Sequence, residues 1–177
     1  MTRVQRVTVV KQWLNDTVVK KCHVGLIPSL NRNVDKSGYE VSALSQQSAS
    51  YAAYKAFRSG NTEWITAGVT ANFWIKIKCL EAVRVWKFIL TGRRNDSPEQ
   101  IRNWRFEGSN DDSDWTVLRS ESSFTISSAA HQFNVENNTN SYQYYRIFVL
   151  EAQRPQSRII TRTAICLFRL IFLHINE

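Results

Sequence analysis

Glycine and proline are scarce in this chain, at six and three of 177 residues, which excludes a collagen-like or low-complexity architecture. Long apolar runs are missing as well. The longest, ICLFRLIFLHI over 165–175, is too short to cross a bilayer and carries Arg169, so a buried strand accounts for it better than a membrane anchor. Residues 1–21 lack the uninterrupted apolar stretch and small-residue cleavage site of a secretory signal, and nothing in the sequence assigns a compartment. There are three histidines and three cysteines, and only the adjacent Cys22 and His23 lie close together, which leaves no zinc site to argue for. Catalytic patterns are absent too. No G-x-S-x-G elbow occurs. Carboxylates crowd only at 111–114, where solvation and mutual repulsion make poor general acids. An enzyme is not expected.

The net charge of +8 invites a nucleic-acid partner until its location is examined. Residues 1–23 hold Arg3, Arg6, Lys11, Lys20 and Lys21 against Asp16, and residues 154–177 hold four arginines against Glu177. Between them the basic and acidic residues nearly cancel. A nucleic-acid-binding domain carries its basic stripe on the folded part, so that class is set aside. Attraction of the basic ends to an anionic membrane surface remains as a weaker alternative.

What is present is a folded chain: 43% of residues are hydrophobic and 12% aromatic. Residues 1–36 read as an N-terminal extension of unassigned structure. From Tyr39 onward strands dominate. FWIKIKC (73–79) places Phe73, Ile75, Ile77 and Cys79 on one face and Trp74, Lys76 and Lys78 on the other. VRVWKFIL (83–90) is apolar on nearly both faces, as a central strand would be. IRNWRFEGS, DWTVLRS, FTIS, HQFNV and YQYYRIFVL continue the series, with turn-rich pieces between them, and YAAYKAF (51–57) reads as one or two helical turns. Such punctuation predicts an all-β antiparallel sandwich or jelly roll with one short helix. Most of Trp64, Trp74, Trp86, Trp104 and Trp115 are expected in its core. Cys79 reads as a buried thiol. Cys22 and Cys166 bracket the chain and either tie its ends together or stay reduced, as thiols do in reducing compartments.

The stretch GSNDDSDWTVL (108–118) has the outline of a calcium loop, with Asn110, Asp112 and Asp114 alternating and Glu121 beyond. The position five after Asn110 should then be glycine, and it is Trp115. A hairpin turn held by Asn and Asp side chains fits better.

The order VSALSQQS, AYKAF, EW, FWIKIK, VRVWKFIL, GSNDDSDWTVL and QYYRIFVL resembles the coagulation factor V/VIII type C family, also called discoidin domains. The matching positions are Val41 to Ala43, Ala53 to Phe57, Trp64, Trp74 to Ile77, Ser109 to Leu118, and Tyr144 to Ile147, over about residues 37 to 150. The resemblance implies a galactose-binding-like jelly roll of about eight antiparallel strands. On that reading 37–153 is the sandwich, and 154–177 is either its closing strand or a divergent tail. It also implies a non-catalytic module that binds glycans, lipid headgroups or proteins with loops at one end. Many members hold a structural calcium ion after the helical turn. Here Thr62 matches a ligand position, but Arg58 stands where an aspartate belongs, and a cation beside it would meet like charge.

Sugar recognition needs planar hydrogen-bonding groups and an aromatic face. The loop TGRRNDSPEQ resembles the one from which family members contact ligand, so Arg93, Arg94 and Asn95 are the leading candidates. Glu63, His23 and Tyr51 lie in or beside loops able to reach the same end. The expected function is a carbohydrate-binding module for galactose-like sugars on a glycan or glycoprotein. The alternative is a protein-interaction or adhesion module on the same fold.

Overall fold

The computed structural model describes residues 27–68, 71–93, 100–152 and the backbone of Ala164–Phe172. Alternating burial drives the chain into strands: β1 (Glu40–Ala43), β2 (Trp64–Ile65), β3 (Phe73–Val83), β4 (Val85–Gly92), β5 (Ile101–Ser109), β6 (Thr116–Glu121), β7 (Ala130–Asn134), β8 (Tyr142–Ala152) and β9 (Ala164–Phe172). A five-stranded sheet runs β1-β3-β8-β5-β6 and a four-stranded sheet runs β2-β9-β4-β7. Every pairing is antiparallel. The expected all-β sandwich is present.

The two sheets meet through rings. Phe88 of β4 stacks on Phe106 of β5 at 4.2 Å and on Phe133 of β7 at 5.2 Å, and meets Trp104 edge-on at 5.8 Å. Phe106 in turn stacks on Tyr145 at 5.4 Å. All but Phe133 are fully buried, and offset stacked and edge-on pairs add to the area they bury. Cys79 is buried as expected, and burial pushes its thiol up to about 12.

Several local expectations need correction. Only Trp64 and Trp104 of the five tryptophans are core. Trp74 and Trp86 fall on the outward phase of their strands and lie half-buried under lysines, with Lys76 4.8 Å from the Trp74 ring and Lys87 4.4 Å from that of Trp86. Trp115 precedes β6 and stacks under Arg146 at 4.0 Å. FTIS (124–127) is an extended loop rather than a strand. It makes one bond toward β5, Ile126 N–H to Ile101 O at 3.1 Å, which is too little for a ladder. The helical turns are two 3-10 segments, Ala49–Tyr51 and Ala53–Phe57. VRVWKFIL is split, because Val83 closes β3 and β4 begins at Val85. The alternation expected along β5 breaks where its register against β8 shifts around Asn103.

In the 109–115 turn the carboxylates of Asp111 and Asp112 are engaged by the turn's own groups and by a lysine. The Asp111 carboxylate accepts the N–H groups of Asp114 (2.8 Å) and Ser113 (2.9 Å) and the Ser109 hydroxyl (2.9 Å). Asp112 takes a left-handed backbone, φ +63°, which aspartate tolerates, and its carboxylate pairs with Lys76. Among the described residues no three His, Cys, Asp or Glu side chains gather as a metal site. The bonds from Asp114, Ser113 and Ser109 hold the Asp111 carboxyl well below the usual carboxylate range. A depressed folded-state value contributes stability that is fully present above the unfolded value near pH 4, and is lost as pH falls through the folded one. Asp111→Ala should therefore flatten the fall in urea midpoint between about pH 4 and pH 2. An unchanged acid slope would show that these bonds carry no such stability.

Candidate functional site

The strand registers bring several loops to one end of the sandwich. Gly92 pairs with Ile165, Ile65 with Ala164, Thr91 with Ala130, and Ile101 with Ala152, so the chain leaves β2, β4 and β6 at that end. A buried polar side chain clamps the connection after β4. Gln100 is 3% exposed; its Oε1 accepts the Arg93 N–H at 3.0 Å and its Nε2 donates to the Arg93 carbonyl at 2.9 Å. Gly92 makes the crowding possible, since a Cβ there would meet Gln100 Oε1 at 2.1 Å and the Ile126 carbonyl at 2.3 Å. Its N–H donates to Ser127 O at 2.8 Å, tying the 122–129 loop to the same base.

On this base the structure joins two of the residues singled out from sequence. Arg93 Nε lies 3.5 Å from Glu63 Oε2, with both side chains half-buried. Glu63 is followed in the chain by Trp64, which is fully buried and donates its indole N–H to Ser45 O at 3.0 Å. Tyr51 is half-buried at the end of the Ala49–Tyr51 segment, and in the loop between that segment and β1 the Gln47 N–H bonds Ile65 O at 2.9 Å, which draws the loop against β2. Arg94, Asn95 and His23 lie outside the described residues, as do the side chain of Cys166 and the whole of Cys22.

Phe124 was not singled out from sequence. It is 36% exposed on the 122–129 loop, with its ring edge-on to His131 at 5.3 Å and to Phe133 at 5.6 Å. His131 is anchored in turn, because Ser127 donates its backbone N–H to Nε2 at 3.1 Å. The end therefore offers an arginine, a carboxylate and a propped aromatic ring. The signal available beforehand was a lone aromatic in the serine-rich run ESSFTISS.

The calcium position implied by the resemblance does not fit the residues present. The Thr62 hydroxyl donates to the Lys55 carbonyl at 2.9 Å and approaches that of Arg58 at 3.5 Å, while Arg58 N–H bonds the same Lys55 oxygen at 3.4 Å. The Lys55 carbonyl thus accepts from both the Thr62 hydroxyl and the Arg58 N–H within the turn. No carboxylate stands at position 58 to balance a divalent charge.

Residues 40–163 match the F5/8 type C domain. The chain belongs to the F5/8 type C domain family. No curated protein matches it in sequence. The F5/8 type C chain is similar in fold to the family 32 carbohydrate-binding module of NanJ from Clostridium perfringens, solved with galactose, at 14% identity. That match covers 76% of this chain and 93% of that one, with a TM-score of 0.62. A second Clostridium perfringens module, CBM32-3 from a family 31 glycoside hydrolase, aligns at 19% identity over 77% of this chain and 92% of its own, TM-score 0.64. Chitosan-binding module 2 of a Paenibacillus sp. IK-5 chitosanase/glucanase, solved with chitotriose, aligns at 17% over 73% and 93%, TM-score 0.56.

Proposed function

We propose that this F5/8 type C domain is a non-catalytic carbohydrate-binding module that takes a galactose-like sugar at the loop end. The Glu63–Arg93 pair carries this reading. A guanidinium supplies donors in a rigid fork and a carboxylate supplies acceptors, which together match vicinal hydroxyls, and the exposed Phe124 ring is an apolar surface on a loop of the same end. The carbohydrate-binding modules that share the fold support the same direction. Arg58, and a Thr62 hydroxyl donated to the Lys55 carbonyl, argue for binding that is indifferent to a calcium chelator.

Isothermal titration with galactose, N-acetylgalactosamine, glucose and glucosamine tests this. At least one should bind weakly, as single sugar sites do before multivalency. Arg93→Ala should weaken it about tenfold or more, the loss expected for a hydrogen bond to a charged group. No binding across the panel, or a tight protein partner that no sugar displaces, overturns the reading.

A further inference from the structure

Arg93 is held at both of its backbone groups by one side chain. The Gln100 amide accepts its N–H at 3.0 Å and donates to its carbonyl at 2.9 Å, as a neighbouring strand would for a residue inside a sheet. Gln100 is 3% exposed, and its approach depends on Gly92, where a Cβ would come within 2.1 Å of Oε1. Two backbone bonds flank this contact. Gly92 N–H donates to Ser127 O at 2.8 Å, and Ile126 N–H donates to Ile101 O at 3.1 Å. Both ends of the 93–100 loop are thereby stitched to each other and to the backbone at 126–127.

Filling this space does not require an amide. A buried amide costs free energy unless its groups are bonded, and a leucine would occupy the volume without that cost. Both bonds of the Gln100 amide go to Arg93, the residue whose guanidinium lies 3.5 Å from Glu63 Oε2. What they fix is the backbone from which that guanidinium projects. A loop held in its bound conformation beforehand has less ordering cost left to meet when ligand arrives. Building on the sugar site proposed above, we infer that Gln100 is a positioning residue for it: the buried amide sets the Arg93 backbone before ligand binds and raises affinity through that preorganisation.

Gln100→Glu tests this because pH switches the variant. A protonated carboxyl reproduces both bonds, accepting the Arg93 N–H and donating its O–H to the carbonyl, whereas the ionised form has only acceptors and repels that carbonyl. Burial favours the protonated form of the new carboxyl. Titration with the sugar that wild type binds best should give affinity near wild type at about pH 5 and about tenfold weaker at about pH 8, each compared with wild type at the same pH. Gln100→Leu and Gly92→Ala should be about tenfold weaker at both. Tyr145→Phe, which removes a buried bond to Val83 O at the opposite end of the sandwich, should lose stability and keep its affinity. Should Gln100→Leu or Gly92→Ala fail to melt cooperatively, Gln100→Glu at the two pH values carries the comparison. Hydrogen exchange reads the clamp with no sugar present, and the Arg93 amide should be protected in wild type and exposed in Gln100→Leu. Wild type that binds no sugar overturns the proposed function and this role for Gln100 with it. Sugar binding by wild type with a Gln100→Glu affinity ratio that does not change with pH, or an Arg93 amide no better protected than in Gln100→Leu, overturns the positioning role alone.

Discussion

Arg146→Ala should destabilise the domain by about 3–5 kcal/mol, the cost of stranding a buried charge. Its Nε lies 2.5 Å from Glu107 Oε2, and the Glu107 side chain is only 4% exposed. Arg105 Nη1 stands 3.7 Å from the other carboxylate oxygen and is more open to solvent, so it offsets part of the loss. The same guanidinium lies 4.0 Å from the Trp115 ring and 5.0 Å from that of Phe148, so the variant also frees the end of the 109–115 turn. Chemical denaturation separates the contributions. Arg146→Met alone should lose nearly as much as Arg146→Ala, whereas Arg146→Met with Glu107→Leu should recover most of the stability, because a buried pair replaced by packed apolar groups is often neutral. A double variant no more stable than the single one would show that the stacking on Trp115, not the charge, does the holding.

Trp64→Ala should cost about 3–5 kcal/mol through the cavity it leaves. The indole is fully buried, packs against Phe73 at 6.2 Å, and bonds the Ser45 carbonyl. Trp64→Phe keeps most of the volume and removes only that bond, for about 1 kcal/mol. The consequence reaches the loop end, since Glu63 is the preceding residue. Sugar titration of Trp64→Phe should therefore show a larger loss than its small stability change suggests. Equal sugar binding in Trp64→Phe and wild type would detach Glu63 from this support.

The fold was legible where one physical period dominates. FWIKIKC alternates cleanly because β3 has the core on one side and solvent on the other, and Phe73, Ile75 and Ile77 are fully buried. Periodicity could not rank tryptophans, because Trp74 and Trp86 cover their outward phase with a lysine stem instead of entering the core. FTIS has strand composition yet lacks a neighbour to complete a ladder, and neighbours are not written locally. The site shows the same division. Arginine and glutamate could be nominated from their chemistry. That Glu63 meets Arg93 depends on β2 and β4 both pairing with β9, and that the 93–100 loop closes depends on one buried amide at Gln100. Neither leaves a trace in composition or spacing.

The position of β9 also orders events in time. It pairs with β4 on one side and with β2 on the other, and it comes last among the described strands. Until residue 172 has been synthesised, β4 can pair only with β7, and β2 has no partner in its sheet. The five-stranded sheet has all its strands by Ala152. A growing chain therefore presents one finished layer with the inner edge of the other still open, and the loop end that holds Glu63 against Arg93 is assembled only after synthesis reaches that strand.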